Sequence, residues 1–172
     1  RASAQGGRGM KRQIRIEGDT AYIPLTRGYE AVIDAEDAPL VAQFNWHAMV
    51  DDRAVYAARH KAGGGSVLLH RELMEAERGY EVDHIDGDGL NNRRSNIRTA
   101  TKSQNQWNRR RPITNKSGAK GVYWATRENR WLAQIGVGGK RIHLGYFSDV
   151  ESAAAAYAAA CAKLHGEFGR PA

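Results

Sequence analysis

The most informative stretch of this chain is Val82-Asp83-His84-Ile85-Asp86-Gly87. Three polar segments follow it at short intervals: Asn91-Asn92-Arg93-Arg94, Ser95-Asn96-Ile97-Arg98 and Gln104-Asn105. Residues 80–83 and 97–100 have the pattern of short strands, and Thr101 is a good N-cap for a helix over residues 102–109. The sequence therefore predicts a strand, a polar loop, a second strand and a helix in this order.

Asp83 and His84 place a carboxylate beside an imidazole. Phosphodiester hydrolysis needs a divalent cation at the scissile phosphate and a base for the attacking water. Asp83 and Asn105 offer hard oxygen donors that suit Mg²⁺ or Mn²⁺, and an imidazole exchanges its proton close to neutral pH. Neighbouring strand residues point to opposite faces, so a bend must bring Asp83 and His84 together, and Gly87 and Gly89 permit it. These residues predict a one-metal nuclease centre with His84 as general base.

The charge pattern predicts a polyanionic partner. The 172 residues carry a net charge of +7, and no Asp or Glu occurs between Gly89 and Arg127. Such a basic surface favours nucleic acid, and we expect double-stranded DNA. The predicted DNA contacts of this region are Arg93, Arg94, Arg109, Arg110, Arg111 and Lys116.

The order of these segments resembles the HNH homing endonucleases of phages and introns. His84, Asn96 and Asn105 match the three residues that name the family. The resemblance implies a ββα-metal fold with a catalytic set of His84, Asp83, Asn105 and Asn96, in which Asp83 and Asn105 hold the metal. For Asn96 we favour a role in holding the loop through hydrogen bonds to the backbone over contact with metal or substrate.

Several other features of the sequence indicate the role of His70, the absence of a zinc site and the location of the protein. For His70, a structural role is favoured over contact with a phosphate. Cys161 is the only cysteine, so a paired-cysteine zinc site cannot form, and we expect a small core residue there and no structural zinc. The lack of a disulfide, a signal peptide and a long apolar run favours the cytoplasm of a bacterial or phage-infected cell and predicts no membrane contact.

The first third of the chain is predicted to be rich in β-strands. Residues 1–9 have the composition of an expression remnant or a disordered lead. Strand patterns occur at residues 14–16, 21–25 and 30–33, then at 46–49 and 55–59, with a short helix at 37–44 between the two groups. Residues 10–65 are expected to form a DNA-contacting or scaffolding module rather than a second active site.

Residues 112–119 are predicted to be a linker to a C-terminal sheet and helix. Strand patterns occur at residues 121–124, 130–135 and 140–147, and Gly136 to Gly139 suit a hairpin connection. Ser148 is expected to cap the following helix, with Glu151 completing a capping box. Alternation along the strands predicts a buried set of Trp131, Ala133, Ile135, Ile142 and Leu144, and an outward set of Arg130, Leu132, Gln134, Arg141 and His143.

This C-terminal part resembles the plant APETALA and ethylene-response-factor DNA-binding domain. The shared residues are Lys120-Gly121-Val122, Trp131, Ala133, Ile135, Leu144-Gly145, Phe147, Glu151 and Tyr157. The resemblance implies a three-stranded antiparallel sheet that packs on one helix and lays its outer face in the major groove. The implied DNA contacts are Lys120, Tyr123, Gln134, Arg141 and His143. The sequence departs from the usual plant residues at Tyr123, Ala125, Gly136 and His143. The alternative for the outer face of the sheet is a polar surface that contacts only solvent.

Together these patterns predict an α+β protein with a β-rich region at residues 10–65, a nuclease core at 66–111, a linker at 112–119 and a DNA-binding domain at 120–172. The predicted activity is metal-dependent DNA cleavage of the homing type, by nicking or by double-strand cutting, without a small-molecule cofactor. The alternatives are a DNA-binding regulator with a vestigial centre and a protein that acts on RNA. The chain is expected to act as a monomer or a homodimer. If the C-terminal domain is separate, a chain that ends near Arg111 should still nick DNA.

Overall fold

The structure, a computed structural model, describes residues 12–51, 54–112 and 114–171. Its strands are β1 (Arg15–Glu17), β2 (Thr20–Pro24), β3 (Glu30–Asp34), β4 (His47–Val50), β5 (Val55–His60), β6 (Ser66–Leu68), β7 (Glu81–His84), β8 (Ile97–Ala100), β9 (Val122–Ala125), β10 (Arg130–Val137) and β11 (Lys140–Phe147). Its helices are α1 (Ala38–Val41), α2 (Leu69–Met74), α3 (Lys102–Asn108) and α4 (Val150–His165). The fold is mixed α+β, as predicted, with several small antiparallel sheets.

The chain forms two compact units. The described residues up to 77 and residues 88–98 make the first unit, and residues 78–87 and 99–171 make the second. The predicted boundaries after residues 65, 111 and 119 do not coincide with this division. The assignment of functional domains therefore stays a prediction, and residues 1–9 lie outside the described residues.

The first unit contains two three-stranded sheets, in the orders β1-β2-β3 and β4-β5-β6. The predicted strands are present because alternating aliphatic residues such as Ala21, Ile23, Ala31 and Ile33 bury one face. The helix expected at residues 37–44 is shorter. A 3-10 turn (Ala35–Asp37) precedes α1, which ends at Val41.

Residues 88–98 form a polar loop that returns to β3. The backbone N–H of Asn92 donates to the carbonyl of Val32 at 2.7 Å, and its side-chain amide donates to the carbonyl of Leu90 at 2.9 Å. The side-chain amide of Asn96 donates to the carbonyl of Asn91 at 2.8 Å. The expected backbone hydrogen bond of Asn96 is thereby confirmed.

Strands β7 and β8 form a two-stranded sheet, and α3 follows β8 directly. Thr101 caps α3 through a reciprocal pair of hydrogen bonds. Its hydroxyl accepts from the Gln104 backbone N–H at 3.3 Å, and the Gln104 side chain accepts from the Thr101 N–H at 2.8 Å. The predicted N-cap is confirmed, and α3 contacts β7.

The C-terminal sheet has the order β11-β10-β9, and α4 packs against its strands. Two buried clusters join sheet and helix: Val122, Ala133 and Ala153, then Ile135, Tyr157 and Cys161. Burial raises the pKa of Tyr157 to about 12. Gly121 has φ +72°, and an added Cβ would lie 2.2 Å from the Tyr157 ring, so glycine is required there. Cys161 is a buried core residue, as expected.

Two details of the C-terminal prediction are wrong. Asp149 caps α4 instead of Ser148, because its carboxylate accepts from the Ser152 N–H at 2.7 Å. Ile142 is 40% exposed although it was expected in the core. The register between β10 and β11 shifts at Ala133 and Gln134, and Ile142 lies on the edge strand, so strict alternation does not hold. Among the described residues, no helix is long and apolar enough to cross a membrane.

Candidate active site

Asp83 and His84 lie at the end of β7, and both side chains are buried. The chain turns immediately after them, because the Gly87 N–H donates to the His84 carbonyl at 2.9 Å. Gly87 has φ +74°, a backbone conformation that favours glycine. The chain thus turns directly after His84, whereas convergence of the Asp83 and His84 side chains on one phosphate stays a prediction.

Asn108, at the end of α3, holds this strand end. Its buried side-chain Nδ2 donates to Asp83 Oδ1 at 2.9 Å and to the His84 carbonyl at 2.7 Å. All these neighbours are acceptors, which fixes the amide with its nitrogen towards β7. The carbonyl of Ile85 lies 3.4 Å from the same nitrogen. Asn108 therefore positions the carboxylate and the backbone of the candidate centre.

The structure pairs Asn105 with a different carboxylate. The Asn105 amide donates to Glu81 Oε2, one turn along α3 from Asn108. Glu81 and Asp83 are two residues apart on one strand, so they share a face. Two carboxylate–amide pairs thus join β7 to α3. Sequence reasoning missed Glu81 and Asn108, although the three-residue spacing from Asn105 to Asn108 places both amides on one helix face.

The predicted arginines before Asn96 have partners in the first unit. Arg93 donates to the Thr20 hydroxyl at 2.6 Å. Arg94 forms an ion pair with Asp37, with Nη2 2.7 Å from Oδ1, and this contact raises the pKa of Arg94. Both guanidinium groups support the loop at residues 88–98, and their contact with DNA stays a prediction.

His70 lies in α2 and is buried. Its ring packs edge-on against Tyr56, with 5.7 Å between the ring centroids. Burial and an aromatic neighbour are typical of a structural histidine, the role that we favoured for His70. His70 and Asn96 belong to the first unit, whereas Asp83, His84 and Asn105 belong to the second.

Lys120 is the predicted DNA contact whose surroundings differ most from the expectation. Its Nζ donates to the carbonyls of Trp107 and Arg109, both at 2.7 Å, and to that of Arg170 at 3.0 Å. Burial lowers the pKa of Lys120. The ammonium thus holds the end of α3 and the C-terminal tail, and a direct contact with DNA stays a prediction.

The other predicted contacts of the C-terminal sheet share its outer face. Gln134 pairs with His143, and Leu132 pairs with both Tyr123 and Tyr146. Arg141 lies opposite Gly136, two residues along β10 from Gln134. Tyr123, Arg141 and His143 are exposed, and Gln134 is half-buried. Outside the sheet, Arg109, Arg110, Arg111 and Lys116 are exposed as well.

The donor chemistry of the candidate centre fits a divalent cation. Within residues 12–51, 54–112 and 114–171, no group of three His, Cys, Asp or Glu side chains could hold a metal. A site built from one carboxylate and one amide oxygen does not require such a group. Asp83 and Asn105 bring such oxygen donors, which Mg²⁺ and Mn²⁺ prefer, whereas Asn108 presents nitrogen to Asp83.

We expect Asn108→Ala to lower the free energy of unfolding by about 1–3 kcal/mol, because it leaves buried acceptors on Asp83 and His84 without this donor. Asn105→Ala is the matched control and should cost less, since Asn105 is only half-buried. Denaturant unfolding of the two variants measures the difference. A loss below about 0.5 kcal/mol for Asn108→Ala would contradict the positioning role.

Comparison with known proteins identifies one family domain and two viral relatives. Residues 67–107 match the model of the HNH endonuclease family. Protein 3.8 of Escherichia phage T7 is 36% identical over 106 residues, which cover 59% of this chain and 87% of the phage protein. An uncharacterized HNH endonuclease of Acanthamoeba polyphaga mimivirus is 28% identical over 151 residues, covering 84% of this chain and 75% of that protein. No solved structure matches the chain.

Residues 67–107, which include the buried Asp83–His84 pair at a strand end, form an HNH endonuclease family domain. This match and the viral relative support a nuclease.

Proposed function

We propose that this protein is a metal-dependent DNA endonuclease whose centre is formed by Asp83, His84 and Asn105. The observation that carries the proposal is the fixed position of Asp83 and His84, which Asn108 holds at the end of β7. A regulator that only binds DNA has no need of a buried carboxylate next to a buried imidazole at the end of a strand.

In the proposed reaction, the His84 imidazole takes a proton from the water that attacks the scissile phosphate. The bond from phosphorus to the leaving oxygen breaks as the new bond to water forms. Asp83 and Asn105 would hold one Mg²⁺ or Mn²⁺, which when bound supplies positive charge at the phosphate and the leaving oxygen. Asn108 acts through Asp83 and His84 and is a positioning residue. Asn96 keeps its loop in place through a backbone hydrogen bond. A further contribution of Asn96 to catalysis is part of the proposal.

The outer face of the C-terminal sheet is proposed to read DNA in the way of the APETALA-like domain. The register brings Gln134 and His143 side by side, with Tyr123 and Arg141 in the neighbouring rows. Polar and aromatic side chains on one face, most of them exposed, suit contact with base edges and phosphates. This reader, together with the similarity to a phage protein, supports a homing role within a phage-infected cell.

Supercoiled plasmid DNA tests the proposed activity. We expect open-circular product with Mg²⁺ or Mn²⁺ and no product after addition of a chelator, because the phosphate then lacks its bound cation. Asp83→Ala, purified in the same way, is the control for contaminating nucleases. A parent protein that binds DNA but leaves the plasmid intact with either metal would favour the regulator. Cleavage of RNA in preference to DNA would favour a protein that acts on RNA.

A further inference from the structure

An open groove lined by Asp86, Arg110, Arg111 and Arg170 lies beside the candidate active site. Its volume is about 490 Å³. The lining residues come from the turn after β7, the segment after α3 and the C-terminal tail, which all belong to the second unit. Arg170 was not among the residues that the sequence pointed to.

The guanidinium group of Arg170 lies against the turn that follows His84. Its Nη2 donates to the Ile85 carbonyl at 3.0 Å. A Cβ added to Gly87 would lie 2.7 Å from Nη1, so the glycine allows this close approach. Arg170 is therefore in contact with the turn that carries the candidate centre.

The C-terminal tail is held in this position by several contacts. Lys120 Nζ donates to the Arg170 carbonyl and also to two carbonyls at the end of α3. The Trp107 and His165 rings stack, with 4.3 Å between their centroids and 7° between their planes. The 3-10 turn (Gly166–Phe168) contacts α3. The position of Arg170 thus depends on packing rather than on a flexible extension.

The charge in the groove suits an oxyanion. Three guanidinium groups face one carboxylate, that of Asp86. A guanidinium has five N–H donors and matches the geometry of a phosphate. Within the described part of the chain, Arg170 uses one of them on Ile85 and Arg111 one on the Asn115 carbonyl, at 2.8 Å. Donors thus remain for a phosphate.

We propose that Arg110, Arg111 and Arg170 bind a backbone phosphate of the DNA next to the phosphodiester that is cleaved at His84. The C-terminal tail then completes the nuclease centre instead of serving only a separate reader. This inference rests on the proposed function.

DNA binding measured with chelator, which prevents cleavage, tests whether the groove binds a DNA phosphate. Arg170→Ala should weaken binding of a short duplex by about tenfold, because one phosphate contact is lost. The plot of log affinity against log salt should become less steep, with a slope that is less negative by about 0.9. Lys163→Ala, which removes one exposed positive charge from α4, should leave the slope unchanged. Arg170→Lys should restore the slope but not the full affinity, since lysine keeps the charge and lacks the planar fork.

A second variant covers the case in which Arg170→Ala disturbs the turn. Arg110→Ala with Arg111→Ala alters only exposed side chains. It should weaken binding and flatten the salt dependence, because each guanidinium group that is removed takes one phosphate contact with it. Unchanged affinity and slope in both variants would overturn the proposal.

The binding and cleavage results separate the two proposals. If the parent does not cut DNA but both variants bind it more weakly and with a shallower salt dependence, the groove is a phosphate site and the nuclease proposal fails. If the parent cuts DNA and both variants bind it like the parent, the nuclease proposal stands and the groove proposal fails.

Discussion

His84→Ala should slow DNA cleavage by about 10²- to 10⁴-fold, because it removes the general base that we propose for the attacking water. DNA binding should stay within about threefold of the parent, since the base contributes to the chemical step rather than to docking. Single-turnover rates and binding isotherms measured in parallel give the two values.

The controls for this prediction separate a chemical from a structural effect. His84 is buried, so thermal unfolding must establish that the variant folds. His60→Ala removes an exposed histidine of the first unit and should cut at the parental rate. Added imidazole should restore part of the rate of His84→Ala, because it can enter the space left by the side chain and accept the proton. Cleavage by His84→Ala at the parental rate would exclude His84 as the base.

A chain that ends at Arg111 should lose cleavage of all DNA, including DNA without the natural site. Helix α3 has seven residues, whereas an isolated helix needs about 12–15 residues to be marginally stable in water. The truncation removes Lys120, His165 and Arg170, which contact the end of α3 and the turn after β7. This differs from the expectation from sequence, in which residues 120–172 were a separate reader and the shortened chain still nicked DNA.

Calorimetry and plasmid cleavage together test the truncation. The shortened chain should lack the unfolding transition of the second unit, and a chain that ends at Arg170 is the matched control that should keep both transition and activity. Metal-dependent nicking by the chain that ends at Arg111 would mean that residues 112–172 serve recognition alone.

Residue type and spacing were sufficient to predict the local elements around the candidate centre. Thr101 and Gln104 form the capping box, and β7 and β8 end within one residue of the predicted positions. Asn96 holds its loop through a nearby backbone carbonyl, as expected. These features depend on residues close together in the chain, so spacing and residue type are sufficient to predict them.

Tertiary structure alone decided which side chains meet at the strand end. Asn108 reaches Asp83 across 25 positions, and Arg170 reaches Ile85 across 85. The register shift at Ala133 and Gln134 likewise depends on the pairing of two strands. No local pattern encodes such contacts, because they follow from how β7, α3 and the C-terminal tail pack together. The motif therefore identified Asp83 and His84, whereas packing decided that Asn108 and Arg170 lie against the strand end and turn that carry them.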